Sequence, residues 1–168
     1  MVGTRDRYWQ PLRNVLCGRC GLVFLDPMPT SADIERYYRD EYRQHYHGDS
    51  RPRAKALLRD ERGARERVAL LAALLRQGDR VLDIGAGTGA FVGAARAAGW
   101  IAQGIEPHQG FAAFAREHYH AHIHPTTLED APLTHGSFDL VTSSHVFEHL
   151  RAPDKAFALV HQLLKPKG

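Results

Sequence analysis

The chain has 168 residues, of which 43% are hydrophobic and 24% are charged, and its formal net charge is +3. This composition is typical of a globular protein, and no apolar run approaches the roughly 18 residues of a membrane span. The N-terminal segment MVGTRDRYWQ lacks the apolar stretch of a signal peptide, so we expect a protein of the cytoplasm. The basic stretch over 51–67 has no interleaved aromatic residues, which favours a solvated helix face over a nucleic-acid site.

Two cysteines, Cys17 and Cys20, form the C-x-x-C motif of the chain. Such a motif supplies two of the four ligands of a structural zinc site. The motif fits three interpretations, which are half of a zinc knuckle, an isolated thiol pair and the remnant of a larger site. We expect no stoichiometric zinc, and bound zinc would point to His45 or His47 as further ligands.

Predicted strands and helices alternate along the chain. Short apolar runs between glycine and proline predict strands, whereas apolar residues at helical spacing behind capping residues predict helices. The predicted strands cover 21–27, 80–84, 100–107, 121–127 and 138–142, and the predicted helices cover 31–42, 53–77, 88–99, 107–119 and 153–164. This alternation predicts a parallel sheet in an α/β fold. We expect residues 1–50 to form an N-terminal cap and residues 51–168 to form the α/β domain.

Capping signals predict where several of these helices begin and end. Thr30 or Ser31 is the expected N-cap of the first helix, which has acidic residues in its first turn. Gly78 follows the apolar stripe of the second helix and is the expected C-terminal cap. Pro107 is expected near the first turn of the fourth helix.

The stretch RVLDIGAGTGAF, residues 80–91, places a glycine-rich turn between a buried strand and a helix. Such a turn lets a ligand approach the backbone closely. Gly85, Gly87 and Ala90 satisfy the pattern of dinucleotide sites, so the glycines by themselves leave a nicotinamide cofactor open. Asp83 favours a different ligand, because a carboxylate at this position would repel a pyrophosphate. S-adenosylmethionine has no phosphate and carries an ammonium and a sulfonium, so it suits the acid better.

Four segments, VLDIGAGTGAF, GIEP, GSFDLVTSSHVFEHL and LLKPKG, occur in an order and spacing that resemble the class I S-adenosylmethionine-dependent methyltransferases. The upstream residues CGRCGLVFLDPMPT and IERYYRDEY resemble a subgroup with a cysteine knuckle, found among small-molecule and sugar methyltransferases. The resemblance implies a Rossmann-like parallel sheet with strand order 3-2-1-4 and S-adenosylmethionine as cofactor. It also implies an enzyme that methylates a small molecule, with oxygen, carbon and nitrogen all open as the acceptor atom.

The resemblance further implies which residues hold the cofactor. The methionine moiety would be held by Asp83, Gly85, Ala86 and Gly87. Glu106, at the end of the second strand of the sheet, would accept hydrogen bonds from the ribose hydroxyls. Leu128 and Glu129 would contact the adenine, although an ordinary loop explains these two residues as well.

Two histidines are candidates for a general base, since histidine changes its protonation near neutral pH. His145 follows the fourth strand of the sheet and would lie beside the methyl donor, whereas His149 also fits a hydrogen-bonded structural role. Tyr38, with Tyr37 and Tyr42, would form a lid over the pocket, and core packing of a helix is the alternative for all three tyrosines.

The chain departs from the family pattern at both ends. The subgroup has a further C-x-x-C upstream, and the family continues past LLKPGG into a fifth strand and an antiparallel pair. We therefore expect the C-terminal strands to be missing, the fourth strand to lie at the sheet edge, and this fragment to have weak activity or none. A nicotinamide-dependent oxidoreductase and a non-catalytic cofactor-binding fragment are the alternative functions.

Overall fold

The computed structural model describes residues 5, 11–30, 33, 52–150 and 152–168. The chain divides into two units, Met1–Gly48 and Asp49–Gly168. In the first unit, β1 (Asn14–Leu16) and β2 (Val23–Leu25) pair as an antiparallel hairpin. The strand predicted over 21–27 is therefore confirmed as β2, while β1 lies in a stretch for which the sequence predicts irregular structure.

Thr30 and Asp33 form a capping box at the start of the first predicted helix. The Thr30 N–H and hydroxyl both donate to the Asp33 carboxylate, and the Asp33 N–H donates to the Thr30 hydroxyl. This reciprocal pattern makes Thr30, rather than Ser31, the N-cap. The rest of the helix predicted over 31–42 lies outside the described residues.

The second unit is built on four parallel strands within the described residues. They are β3 (Arg80–Ile84), β4 (Ile101–Ile105), β5 (His122–His124) and β6 (Leu140–Ser143), in the order β5-β4-β3-β6. Val81 to Ile84 are buried at the centre of this sheet, as expected for a parallel strand that is covered on both faces, and Asp83 is the one charged residue among them. The predicted strand order 3-2-1-4 and the α/β fold class are confirmed.

Helices cover both faces of the sheet. They are α1 (Ala54–Leu71), α2 (Ala90–Ala97), α3 (Gln109–Tyr119) and α4 (Pro153–Leu163), with a short 3-10 helix at Phe147–His149 before α4. Two apolar clusters result. One contains Phe91, Val92, Trp100, Ala112 and Ile123, and the other contains Leu82, Ile84, Ile105, Phe138 and Leu163. No helix in the described ranges is long and apolar enough to cross a membrane.

The predicted C-terminal end of the second helix is wrong. The second predicted helix ends at Leu71 rather than near 77, and Leu75, which packs against the apolar cluster, lies beyond the helix. Gly78 has a φ of +84° in the turn before β3, where its N–H donates to the Gly99 carbonyl, so it is not a helix cap. Pro107 precedes α3, whose N-cap is His108, and the His108 ring accepts a hydrogen bond from the Phe111 N–H.

The outer strand β6 begins two residues later than predicted. Phe138 stands just before it, in an isolated parallel bridge to Leu164. The Phe138 N–H donates to the Leu163 carbonyl and the Lys165 N–H donates to the Phe138 carbonyl. Among the described residues, β6 lies at the edge of the sheet, as predicted. The chain after α4 nevertheless pairs with Phe138, the residue that leads into β6.

Candidate functional site

A cleft of about 460 Å³ opens at the carboxyl end of β3. The glycine loop contributes Gly85, Ala86, Gly87 and Thr88, and the segment after β6 contributes Ser144 and His145. Its remaining wall is formed by the beginning of α2 and by the residues Arg59, Asp60, Gly63, Ala64 and Arg67 of α1. Crevices at the carboxyl ends of parallel strands are where this class of fold binds ligands.

The glycines of the loop have different structural requirements. Gly85, Gly87 and Gly89 all have positive φ angles, of 72°, 53° and 79°. A Cβ on Gly85 would collide with the Val146 side chain, and one on Gly89 would collide with Ala115 of α3. A Cβ on Gly87 would meet no heavy atom within 4 Å. Packing therefore requires the outer two glycines, while Gly87 faces open space at the cleft.

Asp83 is buried at the base of the cleft, with 3% of its surface exposed. Its Oδ1 accepts hydrogen bonds from Arg67 Nη2 at 2.8 Å and from Thr142 Oγ1 at 2.7 Å. Burial raises the pKa of Asp83, and both the Arg67 charge and these hydrogen bonds oppose that rise. The Arg67 guanidinium also lies 3.9 Å from the centroid of the Phe91 ring. A protein cation thus already balances the Asp83 carboxylate.

Glu106 follows β4 and joins it to the glycine loop. Its Oε2 accepts a hydrogen bond from the Gly87 N–H and its Oε1 accepts one from the His108 N–H, each at 2.8 Å. Burial raises the pKa of Glu106, and the two backbone donors oppose the rise. A carboxylate oxygen has two lone pairs, so each can accept a second hydrogen bond. The site therefore has acceptors for a pair of hydroxyls beside Gly87.

The structure separates the two candidate histidines. His145 lines the cleft, has a φ of +57° and leaves 91% of its side chain exposed. Its Nδ1 lies 3.4 Å from Glu148 Oε1, and His149 Nε2 lies 4.0 Å from the same oxygen. The pKa of Glu148 is lowered, mainly by its own backbone N–H and further by both histidines. His149 does not belong to the cleft wall.

Other residues expected at the site lie apart from the cleft wall or beyond the described part of the chain. Leu128 is buried in the cluster that contains Leu82 and Ile105, and Glu129 is exposed in the adjacent turn. Neither lines the cleft. The expected lid residue Tyr38, with Tyr37 and Tyr42, lies outside the described residues.

The cysteine motif lies in the loop of the β1–β2 hairpin. The Cys17 N–H donates to the Leu22 carbonyl and the Gly21 N–H donates to the Cys17 carbonyl. Backbone N–H groups of Cys20 and Arg19 lower the pKa of the Cys17 thiol. The described residues contain no group of three or more histidine, cysteine or acidic side chains placed to hold a metal ion. His45 and His47 lie outside those residues, so the zinc expectation stays a prediction.

Sequence reasoning missed the contribution of α1 to this site. The basic stretch over 51–67 is not simply a solvated helix face, because Arg59 and Arg67 both lie in the cleft wall. The spacing of Arg59, Gly63 and Arg67, each four residues apart, placed them on one helix face and was the available signal.

A family model described as a methyltransferase domain matches residues 82–168, about half of the chain. The chain belongs to this methyltransferase family. The match begins within β3 and includes the glycine loop, Glu106 and the segment after β6. It confirms the family inferred from the four sequence segments, and the comparisons lend no support to the nicotinamide-dependent oxidoreductase.

Individual relatives agree with the family. A ubiquinone biosynthesis O-methyltransferase of Haemophilus ducreyi is 34% identical over an alignment that covers 54% of this chain and 43% of the relative. The chain therefore spans less than half the length of this curated relative. An S-adenosylmethionine-dependent methyltransferase from Mesorhizobium loti is 31% identical, with a TM-score of 0.53, over 63% of this chain and 51% of that protein.

The fold is shared more widely than the sequence. The phosphoethanolamine N-methyltransferase 2 of Haemonchus contortus, solved with S-adenosyl-L-methionine, matches with a TM-score of 0.61 at 19% identity. The match covers 86% of this chain and 35% of the other. At this identity the likeness is one of fold alone, and the shared fold is a Rossmann-like α/β fold.

Proposed function

We propose that the protein transfers the methyl group of S-adenosylmethionine to a small molecule. The observation that carries the proposal is the open space at Gly87, whose N–H donates to one oxygen of the Glu106 carboxylate while the His108 N–H donates to the other. A ligand that approaches the loop backbone there and presents two neighbouring hydroxyls fits this arrangement. The family match and the S-adenosylmethionine-dependent relative support the same cofactor.

The cofactor would lie along the carboxyl ends of β3 and β4. The ribose hydroxyls would donate to Glu106, and the methionine moiety would run past the backbone of Gly85, Ala86 and Gly87 above Asp83. Leu128 and Glu129, which follow β5, are proposed to border the adenine. Tyr38 is proposed to cover the pocket. The cytoplasmic location predicted from the sequence belongs to the same proposal.

An oxygen acceptor is favoured by the curated relatives, which are O-methyltransferases of ubiquinone biosynthesis. When bound, S-adenosylmethionine supplies an electrophilic methyl group on its sulfonium. The cleft would align the acceptor hydroxyl with that group and exclude water from it, which accounts for most of the acceleration in such transfers. His145 would take the proton of the hydroxyl as the oxygen–carbon bond forms and the bond from the methyl carbon to the sulfonium sulfur breaks, with S-adenosylhomocysteine as the leaving group. His149 is the second candidate for this role.

The proposal is tested with methyl-labelled S-adenosylmethionine and a heat-treated cell extract as the source of acceptors. The full-length protein is expected to transfer label into the small-molecule fraction, and a Gly87→Val variant is expected not to. Label recovered mainly in the protein or nucleic-acid fraction would contradict a small-molecule acceptor. Equal labelling by both proteins would exclude this cleft as the site.

A further inference from the structure

Asp60 is an acidic residue of the cleft wall that the predicted cofactor contacts do not include. It lies on α1, and its Oδ2 accepts a hydrogen bond from Thr88 Oγ1 at 3.4 Å. Thr88 is buried and directly follows Gly87, the loop residue with open space in front of it. The Asp60 carboxylate therefore lies beside the part of the loop that a ligand can approach.

The two acidic residues of the cleft wall, Asp83 and Asp60, differ in how strongly each is paired with a cation of the protein. Asp83 is buried and paired with Arg67 of the protein, and separating a buried ion pair leaves an uncompensated charge at high cost. Asp60 is 28% exposed at its side chain, and its cation is the adjacent Arg59, which is 78% exposed. Exposed pairs of this kind contribute little to stability, because water screens and solvates both partners. An incoming cation can therefore replace Arg59 at small cost.

We infer that Asp60 binds the α-ammonium group of the methionine moiety of S-adenosylmethionine. The ammonium takes the place of the Arg59 guanidinium at Oδ1, while Thr88 continues to hold Oδ2. This inference rests on the proposed function and goes beyond it. It assigns the ammonium group of the cofactor to Asp60 of α1 rather than to the buried Asp83. An acceptor amine offers the same charge, so binding is measured without any acceptor.

The test compares two ligands on three forms of the full-length protein by titration calorimetry. The ligands are S-adenosylhomocysteine and its analogue in which hydrogen replaces the amino group and the carboxylate is retained. The proteins are the unmodified chain, Asp60→Asn and Glu66→Gln. Glu66 is the matched control, because it lies on the same helix, pairs with Arg62 at 2.9 Å and is outside the cleft wall.

The unmodified protein is expected to bind S-adenosylhomocysteine about tenfold more tightly than the deaminated analogue, since a charge-assisted hydrogen bond is lost with the amino group. Asp60→Asn is expected to remove this preference by weakening only S-adenosylhomocysteine, and Glu66→Gln to keep it. Equal weakening of both ligands by Asp60→Asn, or an unchanged preference, would overturn the inference alone. Failure of the unmodified protein to bind S-adenosylhomocysteine would overturn the proposed function and the inference with it.

Discussion

The loop between β3 and α2 shows how one residue type serves two purposes. Gly85 and Gly89 lie where any side chain would overlap Val146 or Ala115, so their absence of a Cβ is a packing requirement. Gly87 has the same left-handed backbone but faces empty space. The sequence shows three alternating glycines and does not distinguish these cases, because the residues that crowd the outer two come from distant segments.

Replacing Gly87 by valine is therefore expected to abolish binding of S-adenosylhomocysteine while the protein still folds. The left-handed φ costs a side chain about 1–2 kcal/mol, and the branched side chain occupies the space that the ligand needs. Gly136→Val is the matched control, because Gly136 has a φ of +61°, equally open surroundings and no part in the cleft wall. Calorimetry and urea unfolding of both variants check this. Tight binding by the Gly87 variant would show that the ligand does not approach this residue.

His145 and His149 differ in position, so their substitutions are expected to differ in effect. His145→Asn should lower the turnover of an accepted hydroxyl substrate by about 10²–10⁴-fold, because a general base is lost. His149→Asn should change turnover much less, since His149 lies outside the cleft wall. Turnover measured against pH for both variants decides this. A larger loss with His149→Asn would reverse the assignment.

At the level of helices and strands, the sequence predicts those elements whose formation depends on local residue patterns. The strand over 80–84, its helix and the alternation that follows were read from apolar runs and capping residues, and the structure confirms them. β1 was missed because three partly exposed residues carry no distinctive periodicity. The contribution of α1 to the cleft was missed because Arg67 of α1 contacts Asp83 of β3, which lies 16 residues later in the chain. Such contacts depend on tertiary packing.

A charged contact joins the end of α4 to the sheet. Lys165 Nζ donates to both carboxylate oxygens of Asp139 at 2.7 Å, and the Arg80 N–H donates to Asp139 Oδ2. Asp139→Asn is expected to lower the free energy of unfolding by about 0.5–1 kcal/mol at neutral pH, because Lys165 is partly exposed and water weakens the pair. Lys165→Met should cost a similar amount, and the double variant little more than either single one. Urea unfolding of the three variants measures this coupling, and fully additive losses would contradict it.

The same contact predicts a pH dependence. The Lys165 hydrogen bonds, and then the Arg80 N–H, lower the pKa of Asp139 in the folded protein. The folded state therefore favours the ionised carboxylate, and its stabilisation is fully present above the ordinary aspartate pKa of about 3.9. It is lost as the pH falls through the lowered folded value. The difference in unfolding free energy between the unmodified protein and Asp139→Asn should stay constant from about pH 7 to 5 and shrink below about pH 4. A difference that grows toward acid pH would contradict this account.

For the whole molecule, the strand order brings the ends of β3, β4 and β6 to one edge, and the cleft follows from that order. The positions of Asp83, Glu106 and His145 at or just after strand ends made them predictable as site residues before their contacts were known. Their charge balance was not predictable, because the buried Asp83 turned out to be paired with Arg67 of α1. The adenine contacts expected of Leu128 and Glu129 remain predictions, and Leu128 packs in an apolar cluster.

The central claim is that the cleft beside Gly87 and Glu106 binds the cofactor of a methyltransferase rather than a dinucleotide. Titration calorimetry of the full-length protein with S-adenosylhomocysteine and, separately, with NAD tests it most directly. We expect S-adenosylhomocysteine to bind with one site per chain and NAD to give no binding heat, because the chain belongs to a methyltransferase family. Binding of NAD together with no binding of S-adenosylhomocysteine would contradict the account.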